Sequence, residues 1–219
     1  MATLATLSGG IAHQIATPLG TIVARVEQVL PAVSELPKAT ASLRVIAEQV
    51  ARIQRIISGV LDLARGNRPT LVRAQPDAIV QAALSLVRHR LTQASIRVEL
   101  ALDPALASIA CDPPMLEQAL VNLLLNACDA SARGSTVRIS VQAQASTVRF
   151  VVDDEGEGIS DETAARAGEP FFTTKSKERG TGLGLAIAQE VIANHGGKLI
   201  LERREGRSGT RAVIELPLP

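Results

Sequence analysis

Apolar residues spaced alternately three and four positions apart run from residue 43 to residue 64, and this spacing predicts a helix with one apolar seam. The seam consists of Leu43, Ile46, Val50, Ile53, Ile57, Val60 and Ala64. Residues 3–29 carry a looser apolar stripe, and Pro31 and Pro37 bracket the connection between the two segments. We therefore expect an antiparallel helical hairpin. Since two helices cannot bury both stripes, the hairpin should form a homodimer, a four-helix bundle.

The periodicity changes after the breaker at residues 66–69, so we place a helical domain at 1–67 and a second domain at 70–219. In the second domain, helical patterns cover 76–93, 113–132 and 183–195, and strand patterns cover 96–101, 136–143, 147–153, 198–204 and 210–216. Short turns join several strand pairs. This arrangement predicts an α+β domain with an antiparallel or mixed sheet that helices cover on one face.

Composition narrows the function classes. The formal net charge is +1 and aromatic residues make up 1% of the chain, so neither electrostatics nor base stacking favours a nucleic-acid partner. Cys111 and Cys128 lie in apolar surroundings and are expected to be reduced, buried thiols of a cytosolic protein. No membrane segment or signal peptide is expected in this sequence. We therefore expect a cytoplasmic location for this part, which leaves open a membrane anchor elsewhere in a longer protein.

Two asparagines stand out on the predicted helix at 113–132. Asn122 and Asn126 are four residues apart, so their side chains share one helix face among apolar neighbours. Buried carboxamides without partners cost free energy, so both should have partners. A Mg²⁺ ion that bridges phosphates is one such partner, and bridges to neighbouring loops are the other.

A carboxylate follows the strand at 147–153. Asp154 can accept a hydrogen bond from an exocyclic amine such as that of adenine, and Gly156 and Gly158 allow the backbone to approach a flat ring closely. Taken alone, this Asp-x-Gly-x-Gly segment is more typical of an ordinary turn than of a binding site.

A second glycine segment, Gly180, Gly182 and Gly184, opens the predicted helix that ends near His195. Free N–H groups and the helix dipole at such a start favour phosphates. The preceding residues 170–179 are polar and cationic after Phe171 and Phe172. We interpret them as a mobile lid that the two phenylalanines anchor. Its cations, Lys175, Lys177 and Arg179, can approach phosphate oxygens or remain solvated.

Taken together, these segments resemble the ATP-binding domain of the histidine kinases, within the superfamily shared with gyrase and MutL. The resemblance implies an α/β sandwich that binds ATP, with Asn126 on Mg²⁺ and Asp154 on the adenine amine. The other nucleotide contacts expected from it are Asn122, Asp129, Gly156, Gly158, Phe172, Lys175, Gly180, Thr181, Gly182, Leu183, Gly184 and Thr210. Asp129 is expected to face ribose or phosphate-bound water.

The first predicted helix carries His13, which should point away from the apolar stripe, with Thr17 one turn further on the same face. Pro18 removes a backbone donor, so the helix should bend there. This segment resembles the phosphoacceptor box of the histidine kinases, His-Glu/Asp-x-x-Thr/Asn-Pro-Leu. The resemblance implies that His13 takes the γ-phosphoryl group of ATP and passes it to an aspartate of a response-regulator receiver domain. It also implies that Thr17 positions the water that hydrolyses the regulator's phosphoaspartate.

One residue departs from that box. Gln14 replaces the usual carboxylate and cannot take a proton, and general-base assistance is typically worth about 10²–10⁴-fold. We therefore expect weakened autokinase activity. Two alternatives stay open: a nucleotide-binding dimer that is kinase-impaired or biased toward phosphatase activity, and an ATPase of the gyrase or MutL type. His195, before a glycine pair, and His89, in a basic run, are expected to be a helix end and a solvated residue.

Overall fold

The computed structural model describes residues 2–65, 68–103, 106–144, 146–175, 180–204 and 206–218. Within them, the side chains of residues 2–14, 16, 48, 51, 52, 54, 55 and 58–65 lie outside the description. The predicted orientations of His13 and Gln14 and the predicted roles of Lys177 and Arg179 therefore fall outside the described part. The chain forms two compact units, Met1–Gly66 and Asn67–Pro219.

The first unit is the expected pair of helices. Helix α1 spans Ala2–Val29 and continues through Pro18, a 3₁₀ turn spans Leu30–Val33, and helix α2 spans Pro37–Arg65. Pro31 and Pro37 lie in the first turn of the 3₁₀ helix and of α2, respectively. A proline is well tolerated there, because the N–H that it lacks would have no helical partner. The Thr40 hydroxyl donates to the Val33 carbonyl at 2.9 Å, which fixes the connection to the start of α2.

The apolar seam of each hairpin helix consists of two alternating sets of residues, and only one set is buried in the single chain. Leu19, Val26 and Val50 are buried, whereas the alternate positions Ile15, Ile22, Val29, Ile46 and Ile53 are exposed. Within each set on a helix the residues are seven apart. One set thus packs between the two helices of the hairpin, and the other forms an apolar stripe on the outside of the single chain.

The second unit contains the predicted helices and strands, each within about two residues of its expected ends, and three further short elements. In chain order it comprises β1 (Val72–Ala74), α3 (Pro76–Gln93), β2 (Arg97–Leu102), β3 (Ile109–Cys111), α4 (Pro113–Ala130), β4 (Thr136–Gln144), β5 (Thr147–Asp153), α5 (Asp161–Arg166), α6 (Gly184–Asn194), β6 (Lys198–Arg203) and β7 (Thr210–Pro217). The main sheet has the order β2-β4-β5-β7-β6. Its β2–β4 pair is parallel and its other pairs are antiparallel, which confirms the mixed sheet.

The core lies between this sheet and the helices. Alternate residues of the central strands are buried, among them Ile139 on β4 and Phe150 on β5, as the two-residue period of a strand requires. Helix α4 packs between α3 and α6. Cys111 and Cys128 are buried free thiols, as predicted, and burial raises the pKa of Cys111 to about 11.

Hydrogen bonds tie the end of α6 to the start of α4. The Asp112 backbone N–H donates to His195 Nε2 at 3.0 Å, and His195 Nδ1 lies 2.7 Å from the Val191 carbonyl oxygen. Asp112 also caps α4 by accepting from the Met115 N–H at 3.3 Å. The structural role expected of His195 is confirmed, and His89 is exposed. Among the residues that the structure describes, no helix is both long and apolar enough for a membrane span.

Candidate nucleotide site

One stripe along α4 contacts all three of the segments that the sequence singled out. Asn122, Asn126 and Ala130 are four residues apart and therefore lie on the same helix face. A Cβ built on Gly184 would lie 3.4 Å from Asn122 Oδ1, and Lys175 Nζ donates to Asn126 Oδ1 at 3.0 Å. A Cβ on Gly156 would lie 2.6 Å from the Ala130 carbonyl oxygen. The two glycine segments and the lid residue thus meet on one helix.

Asp154 is held by backbone donors at the end of β5. Its side-chain Oδ1 accepts from the Gly156 N–H at 2.8 Å and from the Thr210 N–H at 2.9 Å. Its Oδ2 accepts no hydrogen bond from the residues that the structure describes. Burial raises the pKa of Asp154, and the hydrogen bonds from Thr210 and Gly156 partly oppose this rise. The carboxyl group is therefore fixed in orientation with one oxygen left for a ligand donor.

Close backbone packing surrounds Asp154. Gly156 has no room for a side chain against Ala130, and a Cβ on Gly209 would collide with the Asp154 carbonyl oxygen. Gly158 has a φ of 84°, which favours glycine. Thr210, expected to contact the nucleotide, uses its backbone N–H to hold Asp154. In the structure it is a positioning residue for the carboxylate.

The start of α6 is open to an anion. Leu183 occupies the N-cap position with its side chain buried, and no described side chain caps the helix. Uncapped N–H groups and the positive end of the helix dipole favour a phosphate at this position. Gly182 has a φ of 66° and accepts a hydrogen bond from the Phe171 N–H at 2.8 Å. Gly180 and Thr181 lead into this turn.

The two phenylalanines behave differently. The Arg166 guanidinium lies 4.3 Å from the centre of the Phe172 ring, a cation–π contact. Phe171 is 62% exposed and has a φ of 68°, which is uncommon for a residue other than glycine. The two phenylalanines thus hold this end of the lid in different ways: Phe172 through its ring, and Phe171 through the backbone N–H that donates to Gly182.

Charged side chains form a network beside Asn126, the middle residue of the stripe. Lys175 Nζ lies 3.0 Å from both Asn126 Oδ1 and Asp129 Oδ2. The other oxygen of Asp129 accepts from Arg90 Nη2 at 3.1 Å. Asp129, expected to face the nucleotide, thus holds two cations. Sequence reasoning missed Arg90, because it lies on α3 in a basic run that looks like an ordinary solvated surface.

The two asparagine side chains offer groups that suit a nucleotide with magnesium. The Asn126 carboxamide oxygen already accepts from one cation, the ammonium group of Lys175, and such an oxygen is a suitable ligand for Mg²⁺. Asn122 Nδ2 is buried and has no hydrogen-bond partner among the described residues. No described protein group therefore serves as its partner, and a bound molecule stays the expected one. A buried donor that is left unpaired costs about 1–3 kcal/mol.

Comparison with known proteins agrees with both units. Residues 111–219 match the model for histidine kinase-, DNA gyrase B-, and HSP90-like ATPases, and residues 3–69 match the His kinase A phospho-acceptor domain. The chain belongs to the sensor histidine kinases, as a transmitter core. It is 34% identical over its whole length to the signal transduction histidine-protein kinase AtoS of Escherichia coli K12, of which it covers 35%. The chain spans less than half the length of the curated relatives that it matches.

Two solved histidine kinases share the fold of the transmitter core. Full-length ShkA in complex with AMPPNP aligns with a TM-score of 0.80 and 24% identity, covering 97% of this chain and 46% of ShkA. ThkA in complex with the response regulator TrrA aligns with a TM-score of 0.72 and 22% identity, covering 100% of this chain and 63% of ThkA. The match confirms the fold class expected from the sequence, a helical hairpin followed by an α/β-sandwich ATPase-type domain.

Proposed function

We propose that this transmitter core is an ATP-dependent protein-histidine kinase. In this reaction the γ-phosphoryl group of ATP moves to His13 and then to an aspartate of a response-regulator receiver domain. The observation that carries the proposal is the α4 stripe, where Asn122, Asn126 and Ala130 each meet a different segment of the nucleotide site. The AMPPNP complex of ShkA and the regulator complex of ThkA are consistent with the same ligand and partner.

Each part of the site has a separate task. Asp154 Oδ2 accepts a hydrogen bond from the adenine amine, and the open start of α6 holds phosphate oxygens. Asn126 is the residue that holds Mg²⁺, and the metal, when bound, offsets the charge of the phosphates. Gly156 and Gly158 pack tightly against protein backbone, so their part is to hold the turn beside Asp154 in place rather than to face the ring. Catalysis then consists chiefly of positioning and charge compensation.

The acceptor step involves few protein groups. A neutral nitrogen of the His13 ring attacks the γ-phosphorus in line, a nitrogen–phosphorus bond forms, and the bond to the leaving oxygen of ADP breaks. The ring is left with a positive charge until its other N–H is lost to a base or to water. His13 lies in α1, the helix that the phospho-acceptor model matches.

Labelled ATP tests this proposal directly. The wild-type protein should incorporate label that is lost in acid and survives alkali, as phosphohistidine does, and the His13→Ala variant should incorporate none. Label that persists in the variant, or that withstands acid, would show that another residue is the acceptor. The label should then move to a purified receiver domain.

Gln14 sets the expected level of activity. A glutamine lacks the negative charge that would stabilise the ring as it becomes positive, so Gln14→Glu should raise the rate of label transfer by about 10-fold or more. Gln28→Glu is a matched control, because it adds the same charge to α1 two heptads away, where Gln28 accepts from Arg25 at 2.9 Å. An equal effect of both variants would indicate a general charge effect without a basic role for residue 14.

Gln14 also favours a second function, a phosphatase-biased or kinase-impaired form. Thr17 is exposed on α1 and would position the hydrolytic water, and this step does not require a base at residue 14. A receiver domain phosphorylated by acetyl phosphate provides the test. Faster loss of its phosphoryl group with the wild-type protein than with Thr17→Ala, together with no labelling of His13, would favour this function over the kinase.

The exposed heptad set of the hairpin supports a homodimer. Ile15, Ile22 and Val29 repeat every seven residues along α1 and are about 40% exposed in the single chain. A second hairpin placed against this stripe would cover it, together with Ile46 and Ile53 of α2. A four-helix bundle of two chains therefore accounts for both sets of each seam.

A further inference from the structure

We propose that Lys175 and magnesium exclude each other at Asn126, so that the lysine ammonium group occupies the cation position of the nucleotide-free site. This inference rests on the proposed function, because it assumes a nucleotide that brings magnesium. It assigns to Lys175 a task beyond contact with phosphate oxygens: it sets how strongly nucleotide binding depends on the metal.

Geometry makes the two cations competitors. Lys175 Nζ lies 3.0 Å from Asn126 Oδ1. A magnesium ligand oxygen lies about 2.0–2.1 Å from its metal, so both cations on this one oxygen would be at most about 5 Å apart. The Lys175 side chain is 29% exposed, so water screens the repulsion only in part. The ammonium group must therefore leave Asn126 when the metal arrives.

Asp129 and Arg90 make that exchange feasible. Asp129 holds Lys175 through Oδ2 and Arg90 through Oδ1, both at about 3 Å. When Lys175 leaves, the carboxylate still has the Arg90 guanidinium as a partner, so no unpaired charge is created. Asp129 is thus the positioning residue for Lys175 in the nucleotide-free state.

Lys175 is suited to move while its backbone stays in place. Its backbone N–H donates to the Thr173 hydroxyl at 3.2 Å, and a Cβ on Gly180 would lie 3.2 Å from Lys175 Cβ. The Lys175 backbone is therefore held by contacts with both Thr173 and Gly180. The ammonium group sits on a flexible four-carbon stem, so it can leave Asn126 without a shift of the backbone. Without metal, the lysine remains the counter-ion of the bound nucleotide.

Calorimetric titration with AMPPNP, in buffer with magnesium and in buffer with EDTA, tests the exchange. For Lys175→Met we expect metal-free binding to weaken about 10-fold or more, the loss of one charge-assisted contact, while binding with magnesium changes less than about threefold. The dissociation constant in EDTA divided by that in magnesium is therefore larger for Lys175→Met than for the wild-type protein. Lys198→Met removes the same charge from an exposed position on β6 and should leave the ratio unchanged.

The alternatives give different results. Equal weakening in both buffers would show that Lys175 is an ordinary phosphate contact, and no change in either would show that it has no role; both outcomes overturn the inference. A wild-type protein that binds AMPPNP in neither buffer would refute the proposed function and this inference with it.

A second measurement needs no nucleotide. In the nucleotide-free protein, Asp129→Asn should weaken the hold on Lys175 and speed amide hydrogen exchange at residues 172–175 severalfold, whereas Lys198→Met should not. Unchanged exchange in Asp129→Asn would contradict the positioning role of Asp129, even if nucleotide binding is normal.

Discussion

Replacement of Asp154 by asparagine should change which purine the site prefers while leaving the fold intact. The asparagine can place its carbonyl oxygen where Oδ1 accepts from Gly156 and Thr210, at 2.8 and 2.9 Å, so both backbone hydrogen bonds persist. Its amide nitrogen then takes the position of Oδ2. The atom that faces the ligand changes from an acceptor to a donor, and two donors meet when adenine binds.

The magnitude follows from the bond that is lost. A hydrogen bond to a charged group is worth about 1.5–3 kcal/mol, so Asp154→Asn should weaken binding of an adenine nucleotide about 10- to 150-fold. A hypoxanthine nucleotide presents a carbonyl oxygen in place of the amine and can accept from the new amide. The preference for ATP over ITP should therefore fall in Asp154→Asn, by at least the loss measured for ATP alone.

Calorimetric titration with both nucleotides measures this ratio, and Asp153→Asn is the matched control. Asp153 binds Arg211 through two hydrogen bonds, at 2.7 and 3.0 Å, so its replacement should affect stability and leave the purine preference unchanged. An unchanged ATP-to-ITP ratio in Asp154→Asn would refute the assignment of Asp154 to the adenine amine.

Stability gives an independent check on Asp154. Because burial raises the pKa of this carboxyl group in the folded protein, its protonated form is favoured on folding. The stabilisation is full below the pKa of the unfolded chain and is lost as the pH rises through the raised folded pKa. Asparagine does not ionise. Relative to Asp154→Asn, the wild-type protein should therefore be most stable in acid and lose that advantage toward neutral pH, as thermal unfolding across pH would measure.

Two further predictions concern packing. Ile22→Glu should convert the proposed dimer to monomers in analytical ultracentrifugation, because Ile22 is 42% exposed in the single chain and lies in the uncovered heptad set. Leu36→Glu, in the hairpin connection, should leave the dimer intact. A dimer that survives the Ile22 change would exclude this stripe as the interface. Gly156→Ala should destabilise the second unit by about 1–3 kcal/mol in denaturant and abolish AMPPNP binding, because the new Cβ would meet the Ala130 carbonyl oxygen at 2.6 Å. Full stability and binding in this variant would show that the backbone there can shift freely.

Hydrophobic periodicity predicted the long elements and missed the short ones. The hairpin helices, the long helices of the second unit and the five strands of its main sheet each contain several repeats of their pattern. β1 and β3 have three residues each and α5 has six, which is too short for a period to be visible. Their pairing depends on neighbours distant in sequence, such as Val72 opposite Cys111.

The sequence predicted the separate motifs of the site but not the contacts between them. Spacing alone placed Asn122 and Asn126 on one face, and the glycine segments fell at the expected turns. The meeting of Lys175 with Asn126 depends on a contact between residues 49 apart in the chain, for which the sequence has no pattern. Likewise, no local rule shows that Thr210 offers its backbone to Asp154. These are tertiary contacts, set by how β7 and the lid residues pack.

Helix α4 explains why such a site can be both rigid and responsive. Its buried residues, Leu116, Ala119, Leu120, Leu123, Leu124, Ala127 and Cys128, fix the helix in the core. The stripe through Asn122 and Asn126 is therefore held by packing, and short carboxamides leave little freedom at their tips. Lys175 alone among the contacts described on this stripe has a long flexible stem. A ligand that arrives with its own cation thus needs to move one side chain, while the acceptors that recognise it stay in place.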